Sequence, residues 1–245
     1  MVREIKMPDL RSKVVITFAL PAESSALVGR LREASRVSSH GEKIVQGKID
    51  KRSVAIFHTG VGPKSCAGKI DNFFRNERPE FLLSSGFAGS AREDLQVGDI
   101  ILAENFSDRH LVLAAQKLLR LTDSHVVNLF TSSTIINSIT ERDEIARVNS
   151  AAAVDMETET IARACAARGI RMLSLRVISD NARETFPAPP RVLFDVERQR
   201  TDFAKLIGYL LRHPWAAWHL LRFARQISRA REALADAIVA LVRGL

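Results

Sequence analysis

Three acidic residues stand where a carboxylate can do chemistry. Glu23 follows the apolar run Val14 to Leu20, Glu157 closes Asp155-Met156-Glu157, and Asp180 closes Ser179-Asp180 after the apolar run Ile170 to Ile178. Carboxylates from separate chain regions that meet in one cleft can divide the duties of acid, base and cation stabiliser. Each also has a plainer reading, because an acid at a helix start caps backbone N–H groups and suits the positive end of the helix dipole. Ser84-Ser85-Gly86-Phe87-Ala88-Gly89-Ser90 is read as following a strand, and its glycines would let backbone approach a ligand closely. Thr59-Gly60-Val61-Gly62-Pro63-Lys64-Ser65 is also glycine-rich, but it lacks the spacing of a Walker A loop.

The elements that must position these residues alternate between strand and helix. Strands are predicted at Lys13 to Leu20, Lys43 to Ile49, Ser53 to Thr59, Glu80 to Ser84, Asp99 to Ala103, Val126 to Phe130, Ala151 to Val154 and Ile170 to Ile178. The second and third form a hairpin through Asp50-Lys51-Arg52. Helices are predicted at Ala22 to Ala34, Lys64 to Asn76, Arg109 to Arg120, Ile139 to Val148 and Glu157 to Arg168, the last capped by Gly169. This alternation predicts a single-domain, three-layer α/β/α sandwich on a mixed sheet. In such sheets ligands bind beyond the carboxyl ends of the strands.

Composition narrows the class. The chain has 245 residues, 46% apolar and 26% charged, which excludes a disordered chain, a collagen-like fibre and a disulfide miniprotein. Cys66 and Cys165 form no disulfide framework or zinc spacing, which fits a reducing cytoplasm. No His/Cys/Asp cluster has ligand spacing, so no metal or organic cofactor is expected. The first apolar run is too short for a signal peptide, and no run reaches the roughly 18 apolar residues of a membrane span. The net charge is +8, and five of those charges lie in Lys205 to Leu245. A basic appendage describes this better than a nucleic-acid-binding protein, and no nucleic-acid partner is expected.

Six segments in order carry a family resemblance: Ala19-Leu-Pro-Ala-Glu23, Thr59-Gly-Val-Gly62, Ser85-Gly-Phe-Ala-Gly89, Val97-Gly-Asp-Ile100, Val154-Asp-Met-Glu157 and Arg176-Val-Ile-Ser-Asp180. Over about residues 13 to 210 the chain resembles the nucleoside phosphorylase/nucleosidase superfamily, and most of all the methylthioadenosine/S-adenosylhomocysteine nucleosidases. The resemblance implies that Met156 packs on a ribose and Glu157 accepts its hydroxyls. It implies that Asp180, supported by Ser179, protonates or binds the purine, and that Glu23 orients the attacking water. Ile135 would cover the adenine ring and the Ile136 backbone would read its edge. Val61, Gly86, Phe87 and Ala88 would lie against the ligand. Asp180 can donate a proton only if it carries one, so burial or a like charge beside it is expected.

Three features depart from the family. Phe87 stands where the family has a small polar residue, the stretch between Asp99 and Val126 is short, and a tail spanning 212–245 follows a catalytic domain of 1–211. In the tail, Leu220, Phe223, Ala224, Ile227, Leu234, Ile238 and Leu241 recur at helical spacing. Arg222, Arg225, Arg229, Glu232, Asp236 and Arg243 take another face, and Pro214 breaks the preceding helix. Such a helix packs on the domain or a dimer partner, lies on an anionic membrane surface with Trp215 and Trp218 at the interface, or binds nucleic acid. The pattern Leu211-Arg-His-Pro-Trp215 resembles the hopanoid-associated branch, whose members remove adenine from adenosylhopane. The expectation is a homodimeric, cytoplasmic nucleosidase, peripheral on the membrane, that takes a small or lipid-linked adenine nucleoside. The alternatives are a soluble methylthioadenosine/S-adenosylhomocysteine nucleosidase, a purine nucleoside phosphorylase and a non-catalytic membrane-associated binding protein.

Overall fold

The structure is a computed structural model that describes residues 13–39, 41–184, 212–213 and 215–244. Leu211, Pro214 and the end of the expected catalytic domain lie outside the described residues. Among the described residues, ten strands form one mixed sheet. The centre is parallel: β1 (Val14–Phe18) lies between β4 (Arg52–His58) and β5 (Phe81–Ser90), and β10 (Arg171–Asp180) runs beside β5. β1 is buried along its whole length, as expected of a parallel strand covered on both faces. β3 (Glu42–Ile49) extends the sheet antiparallel to β4, and β2 (Arg32–Ser39) pairs antiparallel with β3 at the edge. On the other side, β6 (Ile100–Ala103) pairs antiparallel with β10 and parallel with β7 (Ser124–Val127). β8 (Leu129–Thr131) and β9 (Ala153–Asp155) continue from the end of β5.

Helices cover both faces, which gives the expected three layers. On one face, α2 (Pro63–Asn76) and α5 (Thr158–Ala166) bury Ile70, Phe73, Phe74 and Ile161 against Val15, Leu82 and Met172. On the other, α1 (Pro21–Arg30) and α3 (Arg109–Leu118) pack against Val14, Ile16 and Leu175. α4 (Ile139–Asn149) closes the end of the sheet near β9.

The third helix on the second face is α6 (Ala216–Gly244). Its second half belongs to the sandwich: Leu234, Ile238, Leu241 and Val242 are fully buried in the same cluster as Leu27 and Leu175. Arg30 of α1 donates to Glu232 at 2.8 Å and Asp236 at 2.5 Å, and Arg243 donates to Asp50 at 2.8 Å. The charged face of this half is therefore turned to the domain's own ions. The first half is more open to solvent, with Trp218, Leu221 and, just before the helix, Trp215 exposed.

Several boundaries differ from expectation, and three of the differences have a tertiary reason. The helix expected over Ala22 to Ala34 ends at Arg30, because Leu31 turns extended and Arg32 begins a polar edge strand on β3. The strand expected over Val126 to Phe130 divides at Asn128 so that β7 can serve β6 and β8 can serve β9. Gly86 to Ser90 is not a loop after a strand but the second half of β5. β5 and β10 pair residue for residue from Phe81↔Arg171 to Ala88↔Ile178, and then a bulge brings Asp180 opposite Gly89. Bulges re-aim side chains at sheet ends, and this one sets Ser179 and Asp180.

Candidate active site

Glu23 enters the site from the first turn of α1, one loop beyond β1. Its Oε2 accepts the Leu20 N–H at 3.0 Å and its Oε1 accepts the Phe87 N–H at 3.5 Å. The capping reading is therefore correct for Glu23, yet the same carboxylate lines a cavity at the carboxyl ends of the central strands. Burial pushes its pKa above the usual carboxylate value, while the Leu20 N–H and the Arg176 charge pull it back.

Glu157 is freed from capping by its neighbour. Asp155 accepts the Thr158 N–H at 3.1 Å and the Thr158 hydroxyl, and pairs with the buried Arg176 at 3.0 Å. Glu157 instead accepts the Gly62 N–H at 2.7 Å. Gly60 and Gly62 hold φ at +79° and +84°, a region costly for residues with a Cβ, and so turn that N–H onto the acid. The glycine-rich loop thus presents its amide to a carboxylate of the protein itself. Burial pushes the Glu157 carboxyl upward, and the Asp155 charge adds to it.

Asp180 lies at the bulged end of β10, where its Oδ1 accepts the Ser179 hydroxyl at 2.6 Å. Of the burial or like charge expected there, the structure shows burial. The charged group in contact with its Oδ2 is Arg142, of opposite sign, on α4.

These acids meet on a cavity of about 410 Å³. Met156, Ser179, Val61, Phe87, Ala88, Ile135 and Ile136 line it as well, so the expected residues converge there with one exception. Gly86 stands behind the wall, and a Cβ at that position would lie 3.5 Å from Glu23 Oε1. No residue between Asp99 and Val126 lines the cavity; Phe223 and Ile227 of α6 do.

Arg142, Phe223 and Ile227 were not singled out as site residues from the sequence. Arg142 sits in the run Glu141-Arg142-Asp143-Glu144, which reads as a solvated face. Its spacing of three from both Ile139 and Ile145 was the available signal, because it puts Arg142 on the buried side of α4. Phe223 and Ile227, four apart, were visible as part of an apolar face without any sign of what that face met. Among the described residues no cluster of His, Cys, Asp and Glu has the arrangement to hold a metal ion.

Known proteins resemble this chain in sequence and in fold. The profile of the Phosphorylase superfamily matches residues 13–117 and 105–212. The 5'-methylthioadenosine/S-adenosylhomocysteine nucleosidase of Glaesserella parasuis is 25% identical over 198 residues, covering 69% of this chain and 86% of its own. The enzyme of that name from Haemophilus ducreyi is 24% identical over 203 residues, covering 71% and 87%. Among solved structures, the methylthioadenosine/S-adenosylhomocysteine nucleosidase of S. pneumoniae superposes with a TM-score of 0.72 at 20% identity, over 95% of this chain and 99% of that one. The futalosine hydrolase of Helicobacter pylori superposes with a TM-score of 0.72 at 16% identity, over 96% and 99%. The profile spans most of the sequence, and the solved folds are reproduced almost end to end. The chain belongs to the phosphorylase superfamily.

Proposed function

We propose that this protein is a purine nucleosidase that hydrolyses the N-glycosidic bond of an adenosyl compound and releases adenine. The observation that carries this reading is the convergence of Glu23, Glu157 and Asp180 from three chain regions on one cavity, beside Met156, Ile135 and Ile136. Cleaving C1′–N9 leaves positive charge on the sugar and an electron pair on a poor leaving group. Asp180, at the end that carries Ile136, passes a proton to the purine. Glu157 accepts the ribose hydroxyls and favours the cationic sugar. Glu23 takes a proton from water as its oxygen bonds to C1′. Each positioned acid or base typically contributes about 10²–10⁴-fold. The matched relatives and solved neighbours are named as nucleosidases and a hydrolase, which supports this class.

The finer reading is a lipid-linked substrate such as adenosylhopane. Its support is α6: Phe223 and Ile227 wall the cavity, while Trp218 and Leu221 on the same helix, and Trp215 just before it, are exposed. The helix and the residue just before it thus join the pocket to an apolar, arginine-flanked surface, an arrangement suited to receiving a substrate held in an anionic membrane. None of the described helices is long and apolar enough to cross a membrane, so the association in this reading is peripheral. A homodimer belongs to the same reading, although the described wall comes from a single chain. The names of the matched relatives favour a second reading, a nucleosidase for methylthioadenosine or S-adenosylhomocysteine. Phosphorolysis is less favoured, because the arginine in the cavity is already engaged by Asp180.

The test is a comparison of substrates. In detergent-free vesicles, kcat/KM on an adenosyl lipid should exceed that on methylthioadenosine by about tenfold or more. A preference for methylthioadenosine would support the second reading, and no adenine from either would overturn both.

A further inference from the structure

The Arg142 guanidinium joins three chain segments through four acceptors. Its Nη1 donates to the Ser90 carbonyl at 3.0 Å and the Asn181 carbonyl at 2.9 Å; its Nη2 donates to the Ile136 carbonyl at 3.1 Å and to Asp180 Oδ2. The side chain is almost wholly buried. The pair is also closely fitted. A Cβ at Gly89 would stand 3.0 Å from Asp180 Oδ2 and 3.3 Å from Arg142 Nη2. A buried arginine is costly to retain unless its charge is matched, and here the match is the acid assigned to the leaving group.

We infer that Arg142 is a positioning residue for proton transfer from Asp180: it orients the carboxyl group and stabilises the negative charge that Asp180 gains as the proton leaves. The inference rests on the nucleosidase reading above. The proton passes from the Asp180 carboxyl group to N7 of the purine while the C1′–N9 electron pair moves into the base. Asp180 is then a carboxylate, and the guanidinium already in contact with Oδ2 compensates it. Preorganised charge aimed at a developing anion acts in the transition state and needs no reorganisation at the moment of reaction. The bond to the Ile136 carbonyl fixes the base-facing segment to the acid through the same group. Because both Asp180 oxygens have protein partners, Ser179 on Oδ1 and Arg142 on Oδ2, rotation of the carboxyl group is restrained at both ends.

The test compares two leaving groups. Adenine needs a proton to depart, whereas 4-nitrophenolate departs from a 4-nitrophenyl riboside as a stable anion. Arg142→Met should lower the ratio of adenine-nucleoside to aryl-riboside turnover by about 10²-fold or more, in kcat rather than KM, and Arg142→Lys should restore part of it. In an Asp180→Asn background, Arg142→Met should cost no further adenine release, because its effect passes through Asp180. This double variant also removes the buried unpaired charge, which guards against a misfolded single variant. An unchanged ratio, or equal losses in the presence and absence of Asp180, would assign Arg142 a structural role only. If the wild-type protein cleaves neither substrate, the underlying nucleosidase reading fails instead.

Discussion

The two halves of α6 should respond oppositely to substitution. Ile238 is fully buried among Leu27, Leu175 and Leu241, so Ile238→Ala removes core volume that cannot readily refill. A large-to-small change of this kind costs about 2–5 kcal/mol. For a domain of this size about 1 kcal/mol moves Tm by roughly 2–4 °C, so Tm should fall by about 4–20 °C. Deleting the second half altogether removes Leu234, Ile238, Leu241 and Val242, at about 1.5–3 kcal/mol of burial each. That sum, about 6–12 kcal/mol, rivals the whole stability of a typical domain, so such a truncation should not fold. By contrast, Trp215, Trp218 and Leu221 are 61%, 66% and 46% exposed. Changing all three to Ser should move Tm little, since exposed substitutions cost within about 0.5 kcal/mol each. If these side chains enter a bilayer interface, even half of full burial gives about 2–4.5 kcal/mol in total, or roughly 30-fold or more in vesicle partition. Thermal melts and co-sedimentation with phosphatidylglycerol vesicles at low salt measure both effects. Unchanged vesicle binding by the triple variant would refute the membrane surface, and an unchanged Tm for Ile238→Ala would refute the packing of α6.

Other outcomes follow from the acids. Asp180→Asn should lower adenine release by about 10²–10⁴-fold while a nucleoside analogue still binds; retention of most of the wild-type kcat would remove Asp180 from the mechanism. With Glu157→Gln, a 2′-deoxy substrate should be penalised less than in the wild type, and equal penalties would mean that Glu157 does not contact the 2′-hydroxyl. Burial raises both Glu23 and Glu157, and each must ionise to work, so the acid limb of kcat/KM should lie above 4.5, the ordinary carboxylate value; a limb at or below that value contradicts the assignment. The sign for stability is opposite: the folded state holds these protons when the unfolded state has released them, so their contribution to stability declines as pH rises through that window. Gly89→Ala should press on the Asp180–Arg142 pair and lower kcat, which steady-state kinetics at matched folding will show.

The sandwich was legible because its central strands are apolar and separated by helical periods; β1 is buried throughout, and β10 from Met172 to Asp180, as their composition demands. The edge strand β2 was not legible, since Arg32-Glu33-Ala34-Ser35-Arg36 has no strand pattern and only pairing with β3 makes it one. The three acids could be read from their places after strands. Which of the neighbouring acids caps α5 could not: Asp155 takes that duty at Thr158 because the buried Arg176 of β10 holds its carboxylate there. Arg142 was hidden because a charge within a charged run looks solvated until tertiary structure buries it. The amphipathic period of α6 was clear, but periodicity does not say that one helix meets the core at one end and the cavity at the other.

The central claim is hydrolysis of an adenosyl N-glycosidic bond, and the products of one reaction test it. Purified protein should be incubated with an adenine nucleoside carrying an apolar 5′ substituent, with and without inorganic phosphate, and the base and sugar followed by mass spectrometry. The prediction is adenine and the free sugar in equal amounts, formed at the same rate in both samples. Release of adenine only with phosphate, together with a sugar 1-phosphate, would contradict the role of Glu23, and release of no adenine at all would contradict the account as a whole.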